Sequence, residues 1–254
     1  MAQYEAWKTL LRTGEDLSFW QEFYVKFYQA FIEGDRWKQY LEGVGTTLMV
    51  TAMALLIGII LGVMVAMVRT AHDQQRTGHK NPLLGILNVI CKGYITVIRG
   101  TPMMVQLLIM GFVIFSFSRE YTMIGALTLG INSGAYVAEI IRGGLMSLDP
   151  GQMEAGRSLG LNYIDTMRFI VIPQAFKAIL PSLGNEFIVL LKDTSLITVI
   201  GGKELVYAAQ GIMNRTWEQM YPLVGVALIY LVIVMILSWL LSILERRLRQ
   251  GDRH

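Results

Sequence analysis

Residues 154–173 read EAGRSLGLNYIDTMRFIVIP, a short polar stretch set between two long apolar blocks. It is too amphipathic to cross a membrane, and too rich in start and stop signals to be a slack loop. Just upstream, Asp149-Pro150-Gly151-Gln152 has the form of a helix start: a side-chain acceptor, a proline at the first helical position and an amide three residues after the cap. Ala155 and Gly156 are small enough to let another protein's backbone approach. Gly160 supplies the residue that takes positive φ and closes the helix. Asn162 with Asp165 reads as a second cap, and Pro173 is expected to stop the helix it opens. The spacing therefore predicts a helix–glycine–helix elbow over 149–173, projecting from a membrane.

The blocks on either side explain why a membrane is invoked. Of 254 residues, 54% are apolar and 16% charged, and the apolar ones come in long runs. The net charge of +3 is small and falls near the ends of those runs, which argues against nucleic-acid binding. A single cysteine, Cys91, excludes an internal disulfide framework and a cysteine-based metal cluster. The first 40 residues carry scattered charges without a short apolar core, so no cleavable signal peptide is expected.

No charge occurs over the 26 residues from Gly43 to Val68, a run that reaches roughly 39 Å as a helix. Nothing charged occurs from Gln219 to Leu244 either. Three less perfect spans lie between them: 83–117, interrupted by Lys92 and Arg99; 121–141, with Glu139 near its end; and 178–200, containing Asn185, Glu186, Lys192 and Asp193. The reading is an all-α membrane protein with five crossings over about 43–248, followed by a tail at 249–254. Basic residues set the orientation. The 69–92 connection, the elbow region and the tail after Leu244 together hold twelve, while 118–120 and the 201–218 connection hold three. Elbow and C-terminus are thus expected to be cytoplasmic, and the N-terminus outside.

In the N-terminal segment 1–42, seven acids against five bases suit the translocated side. Phe19, Phe23, Phe27 and Phe31 recur every fourth residue, beside Trp20, Tyr24 and Tyr28. This predicts a helix with an aromatic face lying on the outer leaflet, or an arm that meets a receptor.

Ionisable groups at membrane depth are costly unless partnered or hydrated, about 2.5–3.5 kcal/mol each on insertion scales. Arg99-Gly100-Thr101-Pro102 interrupts the second span, and Lys192-Asp193-Thr194-Ser195 lies in the fourth, after Pro181 and Gly184-Asn185. Broken helices with polar residues at mid-span line substrate routes in transporters. The other reading is a kink and a buried Lys192–Asp193 pair that hold helices together.

The elbow pattern, Glu154-Ala155-Gly156, three residues, Gly160, nine residues, then Ile170-Val171-Ile172-Pro173, closely resembles the EAA loop of permease subunits in ATP-binding cassette importers. Gly156 stands where the usual pattern has a second alanine, and Ile172 where it often has leucine. Further motifs narrow the likeness. Ile98-Arg99-Gly100-Thr101-Pro102 with Gln106, Ile131-Asn132-Ser133-Gly134-Ala135-Tyr136, Ala138-Glu139-Ile140 with Arg142-Gly143, Gly184-Asn185 and Leu191-Lys192-Asp193-Thr194-Ser195-Leu196 resemble the polar amino acid permeases of that group. Those handle histidine, glutamine, glutamate, arginine and related solutes. The resemblance covers roughly residues 40–248; the 1–39 extension lies outside it.

The resemblance implies a type I importer permease fold and ATP-driven amino acid uptake in the cell membrane of a prokaryote. It also implies a second permease subunit (a copy or a related chain), a cytoplasmic ATP-binding cassette ATPase and an extracytoplasmic amino acid binding protein. In such a system the elbow, including Glu154, Ala155, Gly156, Gly160 and Pro173, docks into a groove on the ATPase. Glu154 is expected to pair with a basic residue there, and Leu159, Leu161, Tyr163 and Met167 to fill an apolar groove. The substrate pathway is expected to include Arg99, Thr101, Gln106, Asn132 and Tyr136, and on the fourth span Asn185, Lys192, Asp193, Thr194 and Ser195. A zwitterion needs donors for its carboxylate, met by Thr101 or amides freed at Pro102, and acceptors for its ammonium group, met by Asp193, Asn132 or freed carbonyls. Arg99 alternatively braces a dimer interface, and Lys192 alternatively neutralises Asp193.

The chain lacks a phosphate-binding glycine loop, since Gly201-Gly202-Lys203 has neither the upstream glycine nor the hydroxyl residue. No catalytic residue is expected, and no bound cofactor: ATP and magnesium belong to the partner ATPase. His72, His79 and His254 stand apart from acidic or cysteine companions, so no metal site is expected. Ser133 and Ser195 lack a histidine base within their spans. Two rival classes remain open at this point: a gradient-driven carrier or channel, and a membrane-anchored assembly protein that recruits a partner without moving solute.

Overall fold

The computed structural model describes residues 2–75, 81–149 and 151–250, and every regular element among them is helical. The N-terminal segment folds as two helices where the sequence announced one. α1 (Ala2–Thr13) turns at Gly14 and returns through α2 (Phe19–Phe31). α2 opens on a capping box in which the Gln21 carboxamide accepts the Ser18 N–H at 3.0 Å. Its aromatic side is only partly free. Phe31 reaches the Tyr40 ring at 5.4 Å and Phe23 meets Tyr221 at 5.7 Å, while Phe19 and Trp20 stay more than 70% exposed.

α3 (Arg36–Asp73) carries the charge-free run inside a 38-residue helix. α4 (Pro82–Gly100) starts at Asn81, whose side chain accepts from the amide of Leu83 at 3.0 Å, with Pro82 at its first position. Lys92, grouped above with the connection before it, lies well inside α4. The second apolar block is not one helix. Thr101 is extended, as residues before proline are, and Pro102 brings no amide hydrogen, so the chain restarts as α5 (Met103–Ile109) and ends in a π turn over Met110–Ile114.

After α6 (Tyr121–Met146) come the two short elbow helices, α7 (Gly151–Ser158) and α8 (Tyr163–Thr166). A π turn at Met167–Val171 leads into α9 (Ile172–Asp193), which ends in a 3-10 segment, Thr194–Ile200. The 201–218 connection holds a helix of its own, α10 (Leu205–Thr216), capped by a Glu204 carboxylate that accepts the Tyr207 amide at 2.9 Å. α11 (Met220–Gln250) completes the chain.

Among the described residues, four helices are long and apolar enough to cross a membrane: Glu33–Asp73, Pro82–Gly100, Tyr121–Met146 and Met220–Leu248. α9 has the length, at 22 residues, but carries Asn185, Glu186, Lys192 and Asp193. α6 is the central helix, with 61% of its apolar window buried against 11% for α4 and for α11. Small residues bring α3 and α6 together. A Cβ on Gly58 would lie 2.8 Å from Ser133 Oγ, and one on Gly62 would lie 2.6 Å from Val137 Cγ1. Lipid offers no hydrophobic drive between helices, so such close approach supplies the dispersion contact that holds them. Val50, Ala54, Leu107, Leu129, Leu190 and Ile197 form the main buried cluster, joining α3, α5, α6, α9 and the 3-10 segment.

Candidate functional site

Within 149–173 the chain forms two short helices, α7 and α8, with specific ends. Asp149 Oδ1 accepts the Gly151 amide at 2.8 Å, starting α7; Pro150 lies outside the described residues. Gly160, at φ 79°, closes it: the Leu161 amide bonds the Gly156 carbonyl at 3.1 Å and the Gly160 amide bonds that of Arg157 at 2.9 Å, a Schellman pair. Asn162 Oδ1 then accepts the Asp165 amide at 2.9 Å and opens α8.

Three expectations about the elbow change. Gln152 does not turn back to cap its own helix; its oxygen accepts from Gln174 Nε2 at 3.0 Å and ties α7 to α9. Gly156 is buried within its own chain: a Cβ there would meet Thr166 Cγ2 at 2.4 Å, so the close approach is between α7 and α8 rather than with a partner. Pro173 does not stop the helix. The π turn just before it widens the hydrogen-bond ring, so a residue without an N–H is passed without breaking the path from α8 into α9.

Of the four apolar residues predicted to face a partner, Leu159 is 77% exposed and Leu161 is half-buried. Tyr163 and Met167 line a cleft of about 430 Å³ whose other walls include Val63, Thr70, Ile141 and Phe176. The Tyr163 hydroxyl also bonds the Gln74 side chain at the end of α3. Ile164, which the sequence reading passed over, stands out beside Leu159 at 71% exposure. Glu154 and Ala155 are exposed.

A second constellation lies at the α4–α5 break. Gln106 Nε2 donates to the Ile98 carbonyl at 2.8 Å, the acceptor that Pro102 leaves open, and to Thr101 Oγ1 at 2.8 Å. Its oxygen accepts from Asn132 Nδ2 at 3.0 Å, linking the break to α6. Thr101 spends its own proton on the Val97 carbonyl, so its hydroxyl is not a free donor in this conformation. Arg99 lies 5.0 Å from the centre of the Tyr136 ring. On α9, Lys192 and Asn185 are exposed, and no Lys192–Asp193 ion pair forms. Thr194 and Ser195 donate back to the carbonyls of Leu191 and Lys192 at 2.7 Å, serving the end of α9. The structure thus brings Arg99, Thr101, Gln106, Asn132 and Tyr136 together, and gives Thr194 and Ser195 local work.

Residues 82–250 match the family described as the binding-protein-dependent transport system inner membrane component. The chain belongs to this family. As a transport-system component it is 37% identical over 216 residues to the glutamine transport system permease protein GlnP of Escherichia coli, covering 82% of this chain and 92% of that one. It is 34% identical to the arginine transport system permease protein ArtQ of Bacillus subtilis, covering 84% and 93%. A crystal structure of an amino acid ABC transporter with histidines superposes with a TM-score of 0.74 at 40% identity, covering 83% of this chain and 94% of that chain.

The inner membrane component also carries polar groups that sequence reading did not place. Glu186 is 9% exposed and accepts from Ser133 Oγ at 2.8 Å, joining α9 to α6. Glu204, 2% exposed, gathers Thr198 and the Tyr230 hydroxyl, the latter at 3.0 Å. At the other end of the component, Arg69 pairs with Glu139, and Arg142 with Asp73 at 3.2 Å, fastening α3 to α6. His72, read as lacking an acidic neighbour, has Asp73 3.5 Å from its Nδ1. For Glu186 the signal was present, a carboxylate inside an apolar span. Asp73 beside His72 was equally readable, whereas Arg69–Glu139, Arg142–Asp73 and Tyr230–Glu204 are separated too far in sequence to be read from spacing.

Proposed function

We propose that this permease subunit forms the translocation pathway of an ATP-driven amino acid importer, and that its 149–173 elbow couples it to a separate cytoplasmic ATPase. The supporting observation is the tip of the elbow, where Leu159 and Ile164 are both more than 70% exposed on a turn fixed by a Schellman pair and an asparagine cap. The matched relatives bring an amino acid as the substrate class. α9 supplies the fifth crossing, with elbow and C-terminus cytoplasmic and the N-terminus outside. ATP and magnesium act on the partner ATPase. A second permease subunit and an extracytoplasmic binding protein complete the complex, and lipid surrounds it.

The route runs between the α4–α5 break and α9. Glu186 and Asp193 lie seven residues apart on α9, about two turns, a spacing of carboxylates that suits the ammonium end of a zwitterion. Arg99, set over the Tyr136 ring, is the cation offered to its carboxylate. Movement reaches them because α8 continues through the π turn into α9, so a displaced elbow carries Glu186 with it.

The test is co-purification from mild detergent with Leu159→Asp as the surface variant. The native chain is expected to bring down an ATP-binding cassette ATPase and, in liposomes with a binding protein, to take up amino acid only with ATP inside. Leu159→Asp is expected to insert normally and lose the ATPase. Gradient-driven uptake by the purified chain alone overturns the reading.

A further inference from the structure

The N-terminal hairpin and α11 enclose a groove that the transport reading does not use. Its volume is about 500 Å³, and its walls are Phe19, Phe23 and Phe27 of α2 with Tyr221, Val224 and Leu228 of α11. At its rim, where α11 begins, Lys26 Nζ lies 2.8 Å from Glu22 Oε1 and 3.2 Å from Glu218 Oε2. The other Glu218 oxygen is taken by the Met220 amide at 3.1 Å. Glu22, with its side chain 43% exposed, is the more open carboxylate of the pair.

We propose that this groove binds an aminophospholipid, with its phosphate on Lys26, its ammonium group on Glu22 and one acyl chain along the aromatic wall. Two observations select lipid over a soluble partner. The groove is continuous with the outer face of α11, where Leu228, Leu231, Val232, Met235 and Ile236 are each more than half exposed along a helix long enough to span the bilayer. A binding protein in water has no access to that depth, whereas an acyl chain lies there by default. The charged trio sits at the entry of α11, level with an aromatic girdle of Phe19, Trp20 and Phe23, where headgroups lie. Its composition also chooses the headgroup. One ammonium between two carboxylates repels a purely anionic lipid and complements a zwitterion whose amine can donate.

The experiment is native mass spectrometry of the full-length permease in its complex, after exchange into mixed micelles of phosphatidylethanolamine and phosphatidylglycerol with matched acyl chains. The wild type is expected to retain phosphatidylethanolamine preferentially. Glu22→Gln is expected to lower that preference about fivefold. Leu228→Trp, which fills the groove below the ionic trio, is expected to release the lipid while leaving the trio intact. Equal retention of both lipids by the wild type, or retention indifferent to both variants, overturns the proposal. So does efficient disulfide cross-linking of Val224→Cys to a second permease subunit or to a binding protein, since the occupant is then protein.

Discussion

The hydroxyl of Tyr163 in α8 bonds the side-chain oxygen of Gln74, 89 residues away at the end of α3. The elbow is therefore joined to the bundle through the continuous path into α9, through the Gln152–Gln174 bond and through this side-chain strut. Because Asp73 pairs with Arg142, the strut bears on α6 as well. Tyr163→Phe removes one hydrogen bond and little volume, a loss of about 0.5–1.5 kcal/mol. ATPase co-purification is expected to persist while amino acid moved per ATP hydrolysed falls about three- to tenfold. Paired uptake and phosphate-release assays in proteoliposomes check this, and an unchanged ratio refutes a role for the strut.

Gly156 and Thr166 make a reciprocal prediction. Gly156→Ala places a methyl 2.4 Å from Thr166 Cγ2, an overpacking that costs roughly 1–3 kcal/mol. Thr166→Ala removes the obstructing methyl and is expected to restore much of the loss when combined with it. The readout is thermal unfolding of the purified complex across the double-mutant cycle; strict additivity would contradict the contact.

Gln106→Leu keeps bulk at the α4–α5 break but removes the donor that serves the Ile98 and Thr101 acceptors. Leaving such groups unsatisfied costs about 1–3 kcal/mol. The expected result is lower thermal stability together with slowed uptake, and Gln106→Glu, which keeps the acceptor for Asn132 alone, is expected to recover neither.

Glu186→Gln retains a partner for Ser133 and removes the charge. If the carboxylate receives the substrate's ammonium group, uptake falls by about tenfold or more while ATPase binding is unaffected. Wild-type affinity and rate in that variant would remove Glu186 from the route.

The α2–α11 junction carries a pH signature. Hydrogen bonding to Glu22 raises Lys26 above its ordinary lysine value; desolvation, the next largest effect, opposes this, and hydrogen bonding to Glu218 adds to the rise. A raised folded value means the contribution is complete below the unfolded lysine value and is lost as pH climbs through the folded one. Proteolytic release of the hairpin is therefore expected to show no Lys26-dependent change between about pH 6 and pH 9, and to accelerate only above about pH 10.5. Lys26→Met is expected to remove that alkaline acceleration.

Much of the elbow was legible because its determinants are local. Gly160 is needed at φ 79°, Asn162 caps within three residues, and Asp149 accepts from the amide two residues on. The long apolar helices were legible from charge-free runs, although α3 extends past its run at both ends because a helix does not stop where the hydrocarbon does. What escaped depends on backbone adjustment and on tertiary contacts rather than on local pattern. The π turn that admits Pro173, the Thr166 contact that claims Gly156 and the Gln174 bond that claims Gln152 leave no periodic trace. α10 was missed because its cap is a buried glutamate held by Thr198 and Tyr230, not a residue of the usual capping set.

The interlocked faces of α3 and α6 set an order on biogenesis. α3 leaves the ribosome well before Ser133 and Val137 exist, so the clefts at Gly58 and Gly62 first face lipid with nothing to fill them. Until α6 inserts, α3 has α2 and α4 beside it but lacks the helix that fits its glycine clefts, leaving that face open to lipid or to an insertion chaperone. Seating α6 ends that interval, and a larger residue at Gly62 is expected to be felt there first, as a chain that inserts fully yet is degraded before it assembles.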